Sequence, residues 1–106
     1  MKIGIGAVQF GVDYGISNIH GKTRKDEVSK ILKLACENGI DVIDTAPSYG
    51  SSESILGELA DNNSCKFVTK TPYFSDNSLD SRHIDQLKES FDKSLINFRK
   101  KDVYGL

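Results

Sequence analysis

The sequence predicts an α/β fold, a parallel sheet covered by helices, and three observations point to it. Short apolar runs alternate with longer segments of helical periodicity in the order βαβαβαβ, which requires crossover helices between parallel strands. The 106 residues match the size of one ordinary domain, so residues 1–106 are treated as a single unit. A chain that is 38% hydrophobic and 27% charged has the composition of a folded domain rather than a disordered one.

Composition and charge also exclude several classes of protein. No stretch approaches the ~20 consecutive apolar residues of a membrane helix, and the first residues lack the apolar region and cleavage site of a secretory signal. With 14 basic and 15 acidic residues the formal net charge is −1, whereas a nucleic-acid-binding domain is strongly basic. We therefore expect a cytoplasmic protein that acts without membrane or nucleic acid partners.

Four short runs rich in apolar and β-branched residues have the length of buried strands. They cover residues 2–8, 40–46, 66–71 and 103–106. Pro47 and Pro72 end the second and third runs, because proline cannot donate a hydrogen bond to a sheet. The fourth run is the last segment of the sequence and would leave a bare sheet edge, so we expect the sequence to be part of a longer protein.

The first predicted helix follows a polar loop. Thr23 stands three residues before Asp26, a variant of the pattern in which a side chain caps the helix N-terminus. Beyond it, apolar residues recur at helical spacing, and Asn38-Gly39 supplies the stop signal. The periodicity is carried by Val28, Ile31, Leu32 and Ala35.

Two more helices are predicted, which makes three in all. The second is short, with Ser51 or Ser52 as its N-cap, and ends near Asn62-Asn63. The third is the longest and covers about residues 81–99, where apolar residues recur in steps of three and four. Each predicted helix separates two predicted strands, as crossover connections require.

The first strand contains Gly4-Ile5-Gly6, which is similar to the start of a dinucleotide-binding fingerprint. In that fingerprint the glycines open a helix directly after the strand, whereas a long loop follows here and Gln9 occupies the position of the third glycine. We therefore interpret the glycines as places where a ligand or another backbone approaches the strand closely.

The sequence has two cysteines, Cys36 and Cys65. No Cys-x-x-Cys motif occurs, and no histidine stands at metal-ligand spacing from either residue. The pattern is typical of reduced, partly buried side chains in a cytosolic protein. We predict neither a metal site nor a redox site from it.

Three side chains suited to proton transfer follow the second and third strands. Asp44 lies near the C-terminal end of the second strand, five residues before Tyr49, and Lys70 lies near the C-terminal end of the third. Each alone is typical of a loop or surface residue, but the C-terminal ends of parallel strands meet at one edge, where ligands bind. A free tyrosine has a pKa of about 10, and an ammonium group nearby stabilises the phenolate. With a carboxylate to keep the ammonium charged, the set predicts a phenol tuned as a general acid.

The sequence resembles the aldo-keto reductase family in its central part, residues 40–57, which read Ile-Asp-Val-Ile-Asp-Thr-Ala-Pro-Ser-Tyr-Gly-Ser-Ser-Glu-Ser-Ile-Leu-Gly. Residues 4–11 are similar to that family's first strand and residues 68–70 to its third, in the same order and spacing. The resemblance implies a TIM-type (β/α)₈ barrel, of which this chain supplies four parallel strands and three helices. It also implies NADPH-dependent reduction of a small aldehyde or ketone to an alcohol.

The resemblance assigns roles to individual residues. Tyr49 matches the family's proton donor, Lys70 the residue that tunes the donor, and Asp44 the partner of the lysine. Ala7 and Val8 match the end of the first strand, which with Asp44 lies near the nicotinamide half of the cofactor. Many relatives have threonine at the Ala7 position, so the resemblance implies no hydroxyl contact there.

One member of the family's catalytic tetrad has no match. It is a histidine at the end of the fourth strand, and the sequence stops first, at Leu106. His20 in the first loop and His83 at the start of the long helix do not fit that position, so we interpret both as ordinary surface residues. A whole barrel needs ~250 residues, and most cofactor contacts of the family come from later strands. We therefore expect the isolated chain to be inactive and to bind NADPH weakly.

Two alternatives remain open. Lys70 could act as a Schiff-base nucleophile, as in some barrel aldolases, although this leaves the spacing of Asp44 and Tyr49 unexplained. The chain could also be a non-catalytic half-barrel that self-associates, because an open inner face and bare sheet edges expose apolar surface. Residues that such a face could leave uncovered are Ile5, Val42, Val68 and Tyr104.

Overall fold

The computed structural model describes residues 2–61 and 64–106, and within these ranges the chain forms three strands and four helices. The strands are parallel and lie in chain order in one sheet. The elements are β1 (Ile5–Gly6), α1 (Val8–Gly11), α2 (Lys25–Glu37), β2 (Val42–Asp44), α3 (Ser52–Leu59), β3 (Lys66–Val68) and α4 (Ser81–Phe98).

The sheet has two different faces, because successive side chains along a strand point to opposite sides. Ile43 and Phe67 are paired in β2 and β3 and are each 1% exposed, so they face the helices. The next pair, Asp44 and Val68, lies one residue nearer to the C-terminal edge and on the opposite, open face. Gly6 of β1 pairs with Asp44 on its other side. The open face therefore brings a carboxylate to this edge, next to a residue that has no side chain.

The core lies between the sheet and the helices that cover it, and β3, α3 and α4 meet closely within it. Phe67 stacks on Phe98 with ring centroids 4.6 Å apart, and both side chains are almost fully buried. The two helices approach closely at Gly57, where an added Cβ would stand 2.0 Å from the carbonyl oxygen of Asn97. Burial of each large apolar side chain stabilises the fold by ~1.5–3 kcal/mol, so this contact holds α3 firmly against α4 and the sheet.

The first strand is shorter than predicted, because the chain leaves the sheet at Ala7. Val8, predicted inside the strand, instead begins the short helix α1. Ala7 has φ −104° and ψ 19°, outside the β region, and its carbonyl oxygen accepts hydrogen bonds from Phe10 N at 3.1 Å and Ser52 Oγ at 2.8 Å. This turn places Phe10 in the core, where it is 4% exposed. Helix α1 is therefore an addition to the three helices predicted.

The predicted fourth strand, residues 103–106, is reduced to one parallel bridge between Val68 and Gly105. The N–H of Thr69 donates to the carbonyl of Gly105 at 3.0 Å, which continues the parallel direction. The N–H groups of Tyr104 and Gly105 both donate to the carbonyl of Phe67, at 2.8 and 3.3 Å. The second and third strands also end earlier than predicted, at Asp44 and Val68.

The first two predicted helices form as α2 and α3, but neither has a side-chain hydrogen bond at its N-cap. Helix α2 begins at Lys25 with Arg24 at its N-cap and no side-chain cap bond, so Thr23 does not cap it. It ends before Gly39, whose φ of +69° is the left-handed conformation that glycine adopts freely. Ser51 occupies the N-cap of α3, again without a side-chain cap bond.

Helix α4 matches the longest predicted helix to within one residue. Asp80 caps its N-terminus in a capping box with His83, and Arg99 ends it in the left-handed conformation, with φ 57°. The predicted end of the second helix at Asn62-Asn63 lies outside the described residues. Among the residues that the structure describes, no helix is long and apolar enough to cross a membrane.

The open face of the sheet is less apolar than predicted. Ile5 packs against the core on the helix side, which corrects its predicted place among the uncovered residues. Val42 and Val68 are half-buried, whereas Tyr104 is 67% exposed. Polar and small residues therefore occupy much of this face, and the largest exposed ring stands at its margin.

Candidate active site

The structure brings Asp44, Lys70 and Tyr49 together at the C-terminal edge of the sheet, and we call these three residues the site cluster. Lys70 Nζ donates to both carboxylate oxygens of Asp44, at 2.9 and 2.8 Å, and to the carbonyl oxygen of Thr45 at 2.8 Å. The same ammonium group lies 5.3 Å from the centroid of the Tyr49 ring, within cation–π range. An ammonium group has three donors, and three acceptors here fix its position.

Tyr49 is held in place by a close backbone fit. Its N–H donates to the carbonyl of Ala46 at 3.1 Å, and its own carbonyl accepts from the N–H of Ser52 at 3.0 Å. A Cβ on Gly11, the last residue of α1, would stand 1.6 Å from the Tyr49 carbonyl oxygen. Glycine at this position therefore lets α1 lie directly against the turn that carries the phenol.

Ala7 and Val8, the residues predicted to lie near a cofactor, sit where β1 ends. Ala7 is 0% exposed, and its N–H donates to the carbonyl of Asp44 at 2.9 Å. Both of its backbone polar groups are used within the protein, so Ala7 offers no surface to a ligand as the chain stands. Val8 is half-buried and keeps some surface.

A buried polar layer, which the sequence analysis did not identify, lies behind the site cluster. Thr45 Oγ1 donates to Ser52 Oγ at 2.9 Å, and Ser52 Oγ donates to the carbonyl of Ala7 at 2.8 Å. Thr69 Oγ1 donates to Glu53 Oε1 at 2.7 Å. The two threonines and their partners on α3 are at most 3% exposed. Thr45 directly follows Asp44 and Thr69 directly precedes Lys70 in the sequence. Because neighbouring side chains of an extended chain point to opposite faces, this adjacency indicates that both threonines face away from the site cluster.

His83 is buried, in contrast to the surface position predicted from the sequence. It is 8% exposed; its Nε2 lies 3.0 Å from Asp76 Oδ2, and its Nδ1 lies 3.0 Å from both the backbone nitrogen and Oδ1 of Asp80. The hydrogen bond to Asp76, together with the nearby Asp80 carboxylate, raises the pKa of His83 although burial opposes the shift. Phe74 meets the imidazole edge-on, with centroids 5.0 Å apart. His83 thus fixes the loop between β3 and α4, whereas His20 is exposed as predicted.

That loop lines a cavity of about 750 Å³ next to Lys70. Pro72, Tyr73 and Leu79 contribute apolar and aromatic walls, and Tyr73 is 90% exposed. The cavity opens at the same edge of the sheet as the site cluster. There is consequently room for a small organic molecule beside the ammonium group.

The two cysteines are free and lie away from this edge. Cys36 is exposed and Cys65 is half-buried, so the predicted partial burial applies to Cys65 alone. Burial raises the pKa of the Cys65 thiol, which disfavours the reactive thiolate. Among residues 2–61 and 64–106, no group of histidine, cysteine and carboxylate side chains is arranged to hold a metal ion.

Comparison with known proteins identifies the family. The family model for the aldo/keto reductase family matches residues 2–104, and no curated protein matches the sequence significantly. A crystal structure from Pseudomonas aeruginosa, described as a candidate aldo-keto reductase, aligns with TM-score 0.74 and 31% identity over 94% of this chain and 39% of its own. A second structure from the same organism, described likewise, aligns with TM-score 0.71 and 29% identity. This alignment covers 94% of this chain and 37% of the other protein. The chain therefore spans less than two-fifths of these similar proteins, and it belongs to the aldo/keto reductase family.

Proposed function

We propose that this chain is the N-terminal part of an NADPH-dependent reductase that converts an aldehyde or ketone to an alcohol. The observation that carries the proposal is the site cluster, in which the Lys70 ammonium contacts both Asp44 and the ring of Tyr49. A carboxylate, an ammonium group and a phenol in contact at the C-terminal edge of a parallel sheet suit proton transfer to a bound substrate. Membership of the family supports the same assignment.

In the proposed reaction the substrate carbonyl lies against the Tyr49 hydroxyl. Bound NADPH supplies the hydride that the carbonyl carbon receives. As negative charge develops on the carbonyl oxygen, the Tyr49 hydroxyl donates its proton there, so that an alcohol leaves and a phenolate remains. The positive charge of Lys70 favours that phenolate, and Asp44 holds the ammonium group in position. A proton taken up from solvent then restores the phenol of Tyr49 before the next turnover.

The residues at this edge fit the nicotinamide half of a cofactor. An added Cβ on Gly6 would meet no atom within 4 Å, so open space adjoins Asp44 on the open face. Val8 has surface to offer at the end of β1, while buried Ala7 would act by holding Asp44 through its backbone. We propose Val8 and Asp44 as contact residues for the cofactor and Ala7 as their support.

For the chain on its own we propose no measurable reductase activity and weak cofactor binding. Hydride transfer needs two reactants held in close alignment, and this chain spans less than two-fifths of the similar structures. Titration with NADPH, followed by cofactor fluorescence, tests the proposal directly. Saturable micromolar binding that disappears in Asp44→Ala would show that half of the barrel is sufficient.

The reaction class is tested in the reductase that contains this chain. Oxidation of NADPH and of NADH is followed with a panel of small aldehydes and ketones, and we expect turnover with NADPH. The aldolase alternative is tested by adding borohydride to protein mixed with a carbonyl compound. A stable adduct on Lys70 would replace the reductase proposal with Schiff-base chemistry.

The non-catalytic alternative is favoured by one observation, the apolar surface at the sheet margins. Ile3 is 56%, Tyr104 67% and Leu106 61% exposed, and such surface promotes association. We propose that the isolated chain self-associates through this surface, one copy covering the open face of another. Sedimentation at tens of micromolar should show a dimer or larger species, and a monodisperse monomer would contradict it.

The cytoplasmic location stays a prediction from the sequence.

A further inference from the structure

The buried polar layer behind the site cluster is arranged in a regular way. Thr45 follows Asp44, the last residue of β2, and Thr69 precedes Lys70 just beyond β3; both hydroxyls are directed towards α3, away from the site cluster. There they meet two consecutive residues, since Thr45 contacts Ser52 and Thr69 contacts Glu53. Asp44 and Lys70, which form the ion pair, are therefore each adjacent in sequence to a threonine that is hydrogen-bonded to the first turn of α3.

Glu53 is the charged member of this layer, and its surroundings fix it firmly. The side chain is 3% exposed, and its second oxygen, Oε2, accepts from Asn97 Nδ2 at 3.0 Å. Asn97 reaches it because Gly57 allows α3 and α4 to approach closely. Since a buried carboxylate is costly unless its oxygens are hydrogen-bonded, both contacts are expected to be retained whenever the chain is folded.

We propose that Glu53 is a positioning residue, which sets the backbone at Thr69 and thereby the place of the Lys70 ammonium group. The hydrogen bond from Thr69 to Glu53 is 2.7 Å long and fully enclosed. Lys70 is the next residue, and its Nζ must reach three fixed acceptors at 2.8–2.9 Å. A displacement of the backbone at Thr69 would break these contacts together. The importance of this role for catalysis rests on the proposed function of Lys70.

A simpler explanation is that Glu53 only joins α3 to α4 and β3, as any buried hydrogen bond would. The two explanations differ in what happens at Lys70 when a buried hydroxyl is removed. Thr69→Val removes the hydroxyl that donates to Glu53. Ser94→Ala removes a hydroxyl on α4 that donates to the carbonyl of Ser90 and lies away from the site. Ser94 is 1% exposed, so the control is equally buried.

The measurement is the NMR signal of the Lys70 ammonium group in the 106-residue chain. The signal is assigned to Lys70 because it is absent from the spectrum of Lys70→Arg. Its hydrogen exchange with water reports the hydrogen bonds to the ammonium group without requiring any catalytic activity. We expect about tenfold faster exchange, or loss of the signal, in Thr69→Val. Thr69→Ser, which restores the hydroxyl, and Ser94→Ala should both exchange like wild type, although Ser94→Ala melts at a lower temperature.

Unchanged exchange in a folded Thr69→Val chain would overturn the proposal, and so would equal acceleration in Ser94→Ala. If Thr69→Val does not fold, Glu53→Asp decides the question, because its shorter side chain withdraws the carboxylate from Thr69 and keeps the charge. Faster exchange at Lys70 in Glu53→Asp supports positioning, and wild-type exchange contradicts it. None of these results depends on NADPH turnover, so a failure of the proposed function would be seen separately.

Discussion

The two edges of this small sheet carry the same three residue types in nearly the same arrangement. At the N-terminal edge lies a second set, which we call the opposite cluster: Asp41, Lys66 and Tyr104. Lys66 Nζ donates to Asp41 and lies 5.6 Å from the Tyr104 ring centroid, against 5.3 Å for Lys70 and Tyr49 in the site cluster. Residue types and spacing alone therefore do not distinguish a catalytic set from a structural one.

Position and support separate the two clusters. The site cluster stands at the C-terminal edge, where parallel α/β sheets bind their ligands, and buried polar residues of α3 lie behind it. The opposite cluster stands at the N-terminal edge, where the hydrogen bond from Lys66 lowers the pKa of Asp41 and Asp41 raises the pKa of Lys66. Tyr104 is 67% exposed, without the close backbone fit that holds Tyr49.

The largest expected effect comes from removing each lysine in the proposed full-length reductase. Lys70→Met should lower kcat by about 10²–10⁴-fold, because general acid catalysis by Tyr49 loses its tuning charge. Lys66→Met removes a comparably exposed ion pair and should leave kcat within about twofold, because that pair lies at the opposite edge of the sheet from Tyr49. Steady-state kinetics on both variants checks this, and equal losses would remove the distinction between the clusters.

The close fit beneath Tyr49 gives the next effect. Gly11→Ala places a Cβ where the Tyr49 carbonyl oxygen lies, 1.6 Å away, so the turn must shift or the chain must strain. We expect a loss of about 1–3 kcal/mol in the free energy of unfolding, measured by urea denaturation of the chain. Gly6→Ala is the matched control, because its Cβ meets no atom within 4 Å. If Gly11→Ala is as stable as this control, the fit around Tyr49 is looser than described.

A smaller, pH-dependent effect is expected from His83, which holds the loop at the site edge. The pKa of His83 is raised by its contacts with Asp76 and Asp80, so the fold favours the protonated form. Its contribution to stability is complete below the unfolded value of about 6.5 and is lost as the pH rises through the higher folded value. His83→Gln should therefore lower the melting temperature more at about pH 5.5 than at about pH 9.

Calorimetry at both pH values checks this, with His20→Gln, an exposed histidine in another loop, as the matched control. An equal drop in melting temperature for His83→Gln at the two pH values would mean that the carboxylates near His83 do not act on its charge. A drop that is larger at the higher pH would reverse the sign derived from the contacts.

The order of strands and helices could be predicted well from the sequence, whereas the turns that end them could not. The βα alternation, helix α4 and the meeting of Asp44, Lys70 and Tyr49 could be predicted, because they follow from periodicity and from the geometry of parallel strands. Helix α1 could not be predicted, since Val8 is a β-branched residue typical of strands. The chain instead turns into a helix at Val8, and Phe10 of this helix packs in the core. The end of a strand is set by such tertiary contacts rather than by local preference.

The contacts made by the residues that support the site could not be predicted from the sequence. Thr45 and Thr69 have ordinary strand composition, and only the placement of α3 shows that their hydroxyls meet Ser52 and Glu53. His83 reads as a polar residue on an exposed helix, yet a capping box and an acidic neighbour in the loop bury it. Buried polar contacts depend on residues distant in sequence, which no single segment reveals.

The central claim, that the site cluster transfers the proton and its counterpart does not, is tested most directly by the two tyrosines. In the proposed full-length reductase, Tyr49→Phe and Tyr104→Phe each remove one hydroxyl and keep the ring beside its lysine. We predict that kcat falls by about 10²–10⁴-fold in Tyr49→Phe and changes less than about twofold in Tyr104→Phe. Wild-type turnover by Tyr49→Phe, or an equal loss in both variants, would contradict the claim.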